Sequence, residues 1–196
     1  TVGADGIVFV VQSVSSSIGG VGAGIGYAGI GDSVGVEIDT WCNGANNDPS
    51  SNHLGIDLEG NVNHGSGSPF TADVEPDFDN GELWYMWVDY DGVTLEVRLS
   101  DIDVQPQQPI LTRELDIPAI LGQGTAFVGF TSGTGADWGH HDIVFWSYDI
   151  FSPVCVGDLD GNGSVDGSDL GILLGNWGSD LEFYDLNGDD QVDGKD

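Results

Sequence analysis

Basic residues are nearly absent from this sequence, which has three lysines and arginines against 33 aspartates and glutamates and a formal charge of −30. A field of that sign repels phosphate backbones and anionic lipid surfaces, so neither nucleic acids nor membrane surfaces are expected partners. Apolar runs long enough to cross a bilayer are also lacking, so no membrane insertion is expected. The acidity itself has two interpretations: a solvated surface, or carboxylates that bind cations.

Cysteines are also few, because Cys42 and Cys155 alone cannot make a disulfide scaffold. The last predicted strand carries Cys155 away from the loop that contains Cys42, so a bridge within one molecule is not expected. Free thiols and a bridge between molecules remain as alternatives. No signal peptide is visible, and both ends of the sequence are expected to lie inside domains.

Residues 1–150 show short segments rich in Val, Ile, Phe, Tyr and Trp between Gly, Asn and Asp turns, a pattern typical of strands. Most segments are hydrophobic on both faces, which predicts an all-β sandwich of stacked sheets. Asp91-Gly92 predicts a tight hairpin, and no helical periodicity of useful length precedes residue 165. The predicted strands are Gly6–Gln12, Ser33–Asp39, His53–Leu58, Glu82–Tyr90, Thr94–Leu99, Ala126–Thr131 and Asp142–Tyr148.

The composition changes at residues 151–156, a linker that contains proline, and residues 157–196 form a second predicted domain. This tail holds an internal repeat, in which "GDLDGNGSVDGSDL" is followed by "YDLNGDDQVDGKD". Between the two copies, residues 170–178 carry apolar side chains at helical spacing. A short helix is therefore predicted between two similar loops.

Each copy of the repeat places oxygen-bearing residues at the spacing of a twelve-residue calcium loop. Position six is Gly163 in the first copy but Asp190 in the second, so a strained or weaker second site is expected. The predicted ligands of the first loop are Asp158, Asp160, Asn162, the carbonyl of Ser164, Asp166 and Asp169. Those of the second loop are Asp185, Asn187, Asp189, the carbonyl of Gln191, Asp193 and Asp196.

The stretch "VEIDTWCNGANNDPSSNH" begins as an alternating strand and breaks into a loop rich in oxygen ligands. Alternation places Glu37 and Asp39 on one face, Asn43 and Asp48 follow in the loop, and His53 opens the next strand. The carboxylates and the imidazole together suit a transition metal such as manganese or zinc. The two aspartates, the asparagine and a loop carbonyl offer only oxygen, which suits calcium.

The pattern E-x-D-x-[aromatic]-x-N, then D-P, then H, resembles the legume-type (L-type) lectins, concanavalin A among them. Over residues 3–150 this resemblance implies a concanavalin-like jelly-roll β-sandwich that binds carbohydrate, with the strands that precede Ala4–Gly6 in that family absent. The implied manganese-type ligands are Glu37, Asp39, Asp48 and His53. The implied calcium ligands are Asp39, Asn43, Asp48 and the carbonyl of Trp41.

The resemblance also implies which residues contact the sugar. Asp5, after a cis peptide bond, accepts hydrogen bonds from sugar hydroxyls, and Trp41 stacks on the pyranose ring. A sugar needs fixed donors and acceptors for its hydroxyls and an aromatic ring for its C–H face, so the chemistry agrees. The implied carbohydrate-binding residues are Asp5, the backbone N–H of Gly22 or Ala23, Trp41, Asn43, Ala136, Asp137 and Trp138.

A duplicated calcium loop with a single helix, and with Asp at position twelve, resembles the dockerin module over residues 157–196, the last helix being absent. Dockerins bind a partner domain, cohesin. The resemblance therefore implies a lectin domain that is secreted or attached to the cell surface and is joined to a cohesin-like partner or to an assembly.

Three other interpretations of the sequence are open to comparison. "EIDTWC" begins like the E-x-D-x-x-E of laminarinase-type glycosidases, but residue 42 is cysteine, so a second carboxylate is missing and no catalytic residue is expected. "GIGYAG" fits a dinucleotide-binding motif, but a strand follows it instead of a helix. The remaining alternative is self-assembly, in which the chain is a structural subunit of a calcium-stabilised fibre or matrix.

Overall fold

The computed structural model describes residues 3–65, 67–149, 157–160, 164–181, 184–187 and 189–194. The chain forms two compact units, Thr1–Val144 and Phe145–Asp196. The described residues of the first unit form eight strands and one α-helix: β1 Gly6–Gln12, β2 Ser33–Asp39, β3 His53–Leu58, β4 Thr71–Asp73, β5 Tyr85–Tyr90, β6 Thr94–Ser100, β7 Leu111–Glu114, α1 Ile117–Leu121 and β8 Phe127–Gly133. Three short 3₁₀ helices lie in its loops, at Gly22–Gly24, Gly44–Asn46 and Phe78–Asn80.

The eight strands form two antiparallel sheets. One has the order β4-β3-β2-β1-β8, and the other has the order β5-β6-β7. A buried cluster joins the two sheets, with Val36 and Ile56 from the first packed against Val97 and Leu111 from the second. The predicted all-β sandwich is therefore confirmed.

Alternation along the central strands separates an apolar face from a polar one. On β2 and β3, Val34, Val36, Leu54 and Ile56 face the second sheet and belong to the core. The intervening residues face the other way, and Val8 and Val10 of β1 share that outer face under a lid from the glycine-rich loop. Ile25, Tyr27 and Ile30 anchor this lid. The outer face of the larger sheet is thus covered in part and carries the polar residues described below.

The Asp91-Gly92 hairpin is confirmed, since β5 and β6 pair in antiparallel register with Tyr90 opposite Leu95. Gly92 has a φ of 99°, a left-handed conformation that glycine adopts without steric cost. The Asp91 carboxylate accepts hydrogen bonds from the backbone N–H groups of Val93 (2.9 Å) and Thr94 (2.7 Å).

Three elements of the first unit were missed because each is too short to show a period. β4 and β7 have three and four residues, and α1 has five. The helix nevertheless has local signals: Asp116 caps its N-terminus by accepting from the Ala119 N–H at 2.9 Å, and Gly122 ends it with a φ of 66°.

The strand predicted at Asp142–Tyr148 is wrong, because these residues are irregular. Val144 and Phe145 are 74% and 82% exposed. The segment has high β propensity, but a strand forms only where a neighbour completes its hydrogen bonds. Among the described residues, no strand pairs with it.

The second unit contains one described α-helix, α2 at Gly167–Gly175, which overlaps the predicted helical segment. Asp166 caps α2, and Asp169 reaches back to the Asp166 N–H at 2.8 Å to complete a capping box. The predicted linker 151–156 lies outside the described residues, so the predicted domain boundaries stay predictions. No helix in the described part of the chain is long and apolar enough to span a bilayer.

Candidate carbohydrate and metal site

The register between β2 and β3 places four residues of the outer face side by side. Glu37 lies opposite Gly55, and Asp39 lies opposite His53. The side chains of Glu37, Asp39 and His53 are almost fully buried, with 1%, 2% and 0% exposure. The predicted alternation of Glu37 and Asp39 is therefore confirmed, and the adjacent strand adds the imidazole.

Gly55 makes room for the Glu37 carboxylate. A Cβ at residue 55 would lie 2.5 Å from Glu37 Oε1 and 3.0 Å from its Cγ and Cδ. Glu37 cannot easily move away, because His53 Nε2 bonds its Oε1 at 3.1 Å. Gly55→Ala is therefore expected to lower the free energy of unfolding by about 1–3 kcal/mol, as overpacked buried sites do.

Urea unfolding of Gly55→Ala and of a matched control, Gly129→Ala, measures this effect. Gly129 lies on β8 of the same sheet, and a Cβ there would meet nothing within 4 Å. The control should stay within about 0.5 kcal/mol of the wild-type protein. Equal stability of both variants would contradict the close approach at Gly55.

The loop after β2 folds back on the strand end. Asp39 Oδ1 accepts from the Trp41 N–H at 2.7 Å, and Asp48 Oδ2 accepts from the Asn43 N–H at 2.5 Å. These bonds bring one ligand atom each from Asp39, Asp48 and His53 within 4.8 Å of one another. The loop thus places Asp48 beside the strand residues, as the spacing of the sequence implied.

Two further residues of this cluster were missed by the sequence reasoning, His64 and Asp57. His64 Nε2 lies 2.7 Å from Glu37 Oε1 and 3.7 Å from Asp48 Oδ1, and its Nδ1 lies 3.4 Å from Asp57 Oδ1. Ligand atoms of Glu37, His53 and His64 form a second group within 4.8 Å. Asp57 was detectable, since it follows His53 and Gly55 in the alternation of β3 and so lies on the same face.

The pKa values of several titratable groups in this cluster are strongly shifted. Burial raises the pKa of Asp39 to about 7, and burial likewise raises the pKa of Asp57 to about 7. Burial lowers the pKa of His64, but its contacts with Asp57 and Glu37 reverse this and raise it to about 10. Four carboxyl groups thus face two imidazoles, and a bound cation would stabilise these carboxyl groups in their charged form.

Asp5 lies at the start of β1 and is held through its backbone. Its N–H donates to the Gly133 carbonyl at 3.0 Å, and its carbonyl accepts from the Thr40 N–H at 3.0 Å. The Ala4–Asp5 peptide bond is cis, as the resemblance implied. The Asp5 side chain is 6% exposed and sits at the end of the sheet where the loop after β2 begins.

One of the two candidate backbone donors in the glycine-rich loop is already engaged. Gly22 was a candidate, but its N–H donates to the Thr134 carbonyl at 3.1 Å and is already used. The structure therefore leaves Ala23 as the candidate donor. Asn46 Nδ2 donates to the Ala23 carbonyl at 3.3 Å and links this loop to the loop of Asp48.

The loop after β8 borders Asp5. The Gly135 N–H donates to the Asp137 carbonyl at 3.1 Å, and a Cβ at Gly135 would lie 3.5 Å from Asp5 Oδ2. Burial and then the charge of Asp137 raise the pKa of Asp5. Trp138 is 65% exposed and meets His140 edge-on, with ring centroids 5.4 Å apart. The loop that contains the predicted residues Ala136–Trp138 thus borders Asp5 through Gly135 and the charge of Asp137.

Several buried polar atoms in these clusters have no hydrogen-bond partner among the described residues. Unpaired buried polar atoms are rare in folded proteins and usually indicate a missing ligand, ion or water. Five of the seven such side-chain atoms lie here: Asp5 Oδ2, Asn43 Oδ1, Asp48 Oδ1, Asp57 Oδ2 and His64 Nε2. The donor set of carboxylate, amide and imidazole atoms fits calcium and a transition-metal ion.

In the C-terminal unit, Asp158, Asp160 and Asp169 each bring a carboxylate oxygen within 4.8 Å of the others. Asp169 Oδ1 accepts from the N–H groups of Leu159 (2.7 Å) and Asp160 (3.1 Å), which closes the first loop. Of the other predicted ligands, Asn162 and Asp196 lie outside the described residues. Ser164, Asp166, Asn187, Gln191 and Asp193 lie within them.

The second loop is also turned on itself. Asp185 accepts from the N–H groups of Asp189 (3.1 Å) and Asp190 (2.6 Å). Asp190 has a φ of 67°, in the left-handed region where the first copy has glycine, so the expected strain at position six is present.

The two packed sheets and the acidic cluster at the sheet end define a β-sandwich of the lectin class. Residues 1–154 match the legume lectin domain family, and the chain belongs to that family. Members of this family are carbohydrate-binding proteins without enzymatic activity and bind Ca²⁺ and a transition metal such as Mn²⁺. The expectation of a lectin domain without enzymatic activity agrees with this membership.

Curated relatives include two plant receptor kinases. L-type lectin-domain containing receptor kinase VIII.1 of Arabidopsis thaliana is 34% identical over 149 residues, which are 73% of this chain and 20% of the relative. L-type lectin-domain containing receptor kinase SIT2 of Oryza sativa subsp. japonica is 34% identical over 58% of this chain and 18% of the relative. The chain thus spans about a fifth of the length of these relatives.

Solved lectin structures share the fold. Basic winged bean lectin with Tn-antigen is 30% identical, with a TM-score of 0.52 over 68% of this chain and 54% of that lectin. Lectin I-B4 from Griffonia simplicifolia in its metal-free form is 26% identical, with a TM-score of 0.56 over 70% of this chain and 60% of that lectin.

Proposed function

We propose that the first unit binds a saccharide at a site organised by a calcium ion and a transition-metal ion. The observation that carries this proposal is the convergence of buried, unpaired acceptors: Asn43 Oδ1 and Asp48 Oδ1 in the metal loop, and Asp5 Oδ2 beside it. In this proposal Glu37, Asp39, Asp48 and His53 hold the transition metal. Asp39, Asn43, Asp48 and the Trp41 carbonyl hold calcium.

The ions have a structural role in this proposal. The loop between β2 and β3 contains few buried apolar residues, and the cations replace the packing that it lacks. Once fixed, the loop presents Asn43 and the half-buried Trp41 toward the saccharide. Asp5 accepts hydrogen bonds from two hydroxyls, the Ala23 N–H donates one, and Ala136, Asp137 and Trp138 shape the rim.

A panel of immobilised glycans tests this function. Protein loaded with Ca²⁺ and Mn²⁺ is expected to bind at least one saccharide, and the same protein treated with a chelator and dialysed is expected to bind none. Restoring both ions should restore the signal. Absence of binding to every glycan by folded, loaded protein would overturn the proposal, and chelator-resistant binding would overturn the role of the ions.

We further propose that the C-terminal loops bind calcium and attach the lectin domain to a cohesin-like partner or an assembly outside the cell. The grouping of Asp158, Asp160 and Asp169 supports the first loop. Asp169→Ala is expected to lower the calcium stoichiometry of the whole chain by one, as measured by calorimetry. Asp180→Ala, between the loops, is the control and should leave the stoichiometry unchanged.

A further inference from the structure

We propose that His64 is an additional ligand of the transition-metal ion, and that this second imidazole strengthens the preference of the site for zinc and cobalt over manganese. The inference rests on the proposed metal site of the first unit and adds a ligand that the sequence pattern did not include.

The first support is that two imidazoles approach the same carboxylate oxygen. His53 and His64 approach Glu37 Oε1 through their Nε2 atoms, at 3.1 Å and 2.7 Å. Their rings are nearly perpendicular, at 89°, with centroids 5.4 Å apart, so they approach from different directions. His64 Nε2 also lies 3.7 Å from Asp48 Oδ1, which the proposed site already uses. Both imidazoles thus point at one small volume bordered by carboxylates.

The second support is that the Nδ1 atom of each imidazole, which faces away from Glu37, lies near a hydrogen-bond acceptor. His53 Nδ1 lies 3.2 Å from the Ser50 carbonyl, and His64 Nδ1 lies 3.4 Å from Asp57 Oδ1. A carbonyl only accepts hydrogen bonds, so the proton of a neutral His53 belongs on Nδ1. A neutral His64 with its proton facing Asp57 likewise presents a bare Nε2. Metal-binding histidines are oriented in this way by acceptors behind them.

The third support is the burial of His64 Nε2 beside a carboxylate. The His64 side chain is 4% exposed, and its Nε2 lies 2.7 Å from Glu37 Oε1. This contact does not meet hydrogen-bond geometry among the described residues. A buried nitrogen at this distance from a carboxylate oxygen, without an aligned hydrogen bond, fits two ligands of one cation.

The preference for the metal follows from ligand chemistry. Carboxylate and water ligands suit manganese, whereas imidazole suits zinc, cobalt and other metals later in the series. Manganese binds a site of nitrogen and oxygen ligands more weakly than the later divalent metals do. The second imidazole increases this difference because it adds a nitrogen ligand, and Asp57 behind His64 strengthens that ligand.

Metal competition in the whole chain tests the proposal. Zn²⁺, Co²⁺ and Mn²⁺ affinities are measured with saturating Ca²⁺ for the wild-type protein, His64→Gln and His140→Gln. His140 lies in the loop after β8, outside the metal-ligand groups. His64→Gln is expected to lose about 10–100-fold in Zn²⁺ and Co²⁺ affinity and less in Mn²⁺ affinity. His140→Gln should match the wild-type protein.

X-ray absorption of the Zn²⁺-loaded proteins counts the bound imidazoles, and two are expected in the wild-type protein and one in His64→Gln. Circular dichroism of the metal-free proteins separates a folding defect from a ligand loss. One imidazole in both proteins, with equal zinc affinity, would overturn the role of His64 and leave the proposed function intact. Failure of the folded wild-type protein to bind any of the three metals would overturn both.

Discussion

Asp39→Asn is expected to abolish carbohydrate binding without unfolding the protein. Asparagine keeps the shape of the side chain, and its Oδ1 still accepts from the Trp41 N–H, now 2.7 Å from Asp39 Oδ1. It brings no negative charge to the two ions that Asp39 is proposed to share. Affinity for both ions should therefore fall by at least ~100-fold, and saccharide binding should become undetectable by calorimetry.

Stability in chelator distinguishes a lost ligand from a damaged fold. Burial raises the pKa of Asp39 to about 7, against about 4 for an unfolded aspartate. Above pH 7 the charged carboxylate therefore destabilises the metal-free fold, and stability falls as the pH rises between these two values. The metal-free Asp39→Asn variant should accordingly be at least as stable as the wild-type protein at pH 8, as measured by urea unfolding.

The matched control is Asp73→Asn, on the adjacent strand β4, where the exposed side chain lies outside the metal-ligand groups. It should keep metal and saccharide binding. If the metal-free Asp39→Asn protein is markedly less stable than the wild-type protein, the Asp39 carboxylate does not destabilise the metal-free fold, contrary to the expected effect of its burial. Sugar binding at wild-type affinity by the variant would contradict the role of the ions.

Substitution of Asp5 is also expected to have a large effect, but on saccharide affinity alone and not on metal affinity. Asp5→Asn should weaken saccharide binding by about 10–100-fold, because hydrogen bonds to a charged acceptor each contribute about 1.5–3 kcal/mol. Metal affinity should not change, since Asp5 belongs to neither group of clustered metal ligands. Calorimetric titration of one protein sample with metal and then with saccharide measures both quantities.

Asp101→Asn serves as the control for this substitution, because Asp101 is an exposed aspartate directly after β6 in the other sheet. It should leave both affinities unchanged. A loss of metal affinity in Asp5→Asn would show that the variant disturbs the cluster itself. Unchanged saccharide affinity in Asp5→Asn would remove Asp5 from the binding site.

Long strands could be predicted from the sequence with little error. The bounds of β1, β2 and β3 agree with the predicted ones because a run of six or seven residues between turn residues defines each strand. β7 and α1 are four and five residues long, too short for a period to emerge. Asp142–Tyr148 has the composition of a strand without a described partner, and pairing is not a property of one segment.

In the site, too, residues close together in the sequence could be predicted, whereas a residue brought in by tertiary packing could not. Glu37 and Asp39 alternate on one strand, so their shared face follows from spacing. His64 follows the turn at Gly60, where a Cβ would lie 2.4 Å from the Ile30 backbone nitrogen, and this contact packs the turn against a loop 30 residues earlier. That packing is tertiary, and the sequence pattern alone gives no indication of it.

The engaged N–H of Gly22 is a second feature that the sequence could not predict. A glycine-rich loop signals close backbone approach, but the sequence does not say which N–H groups are already engaged. The Thr134 carbonyl, directly after β8, accepts from the Gly22 N–H, and the Ala23 N–H remains as the candidate donor. Backbone donors can be counted only once the partner loops are in place.

Anomalous diffraction from crystals grown with Ca²⁺, Mn²⁺ and a saccharide identified on the glycan panel would locate the two ions and the sugar together. We expect two anomalous peaks beside Asp39 and Asp48, with the saccharide hydroxyls within hydrogen-bond distance of Asp5 and Asn43. Absence of any peak between Asp39 and Asp48 at saturating metal, with the saccharide bound elsewhere on the molecule, would contradict this expectation.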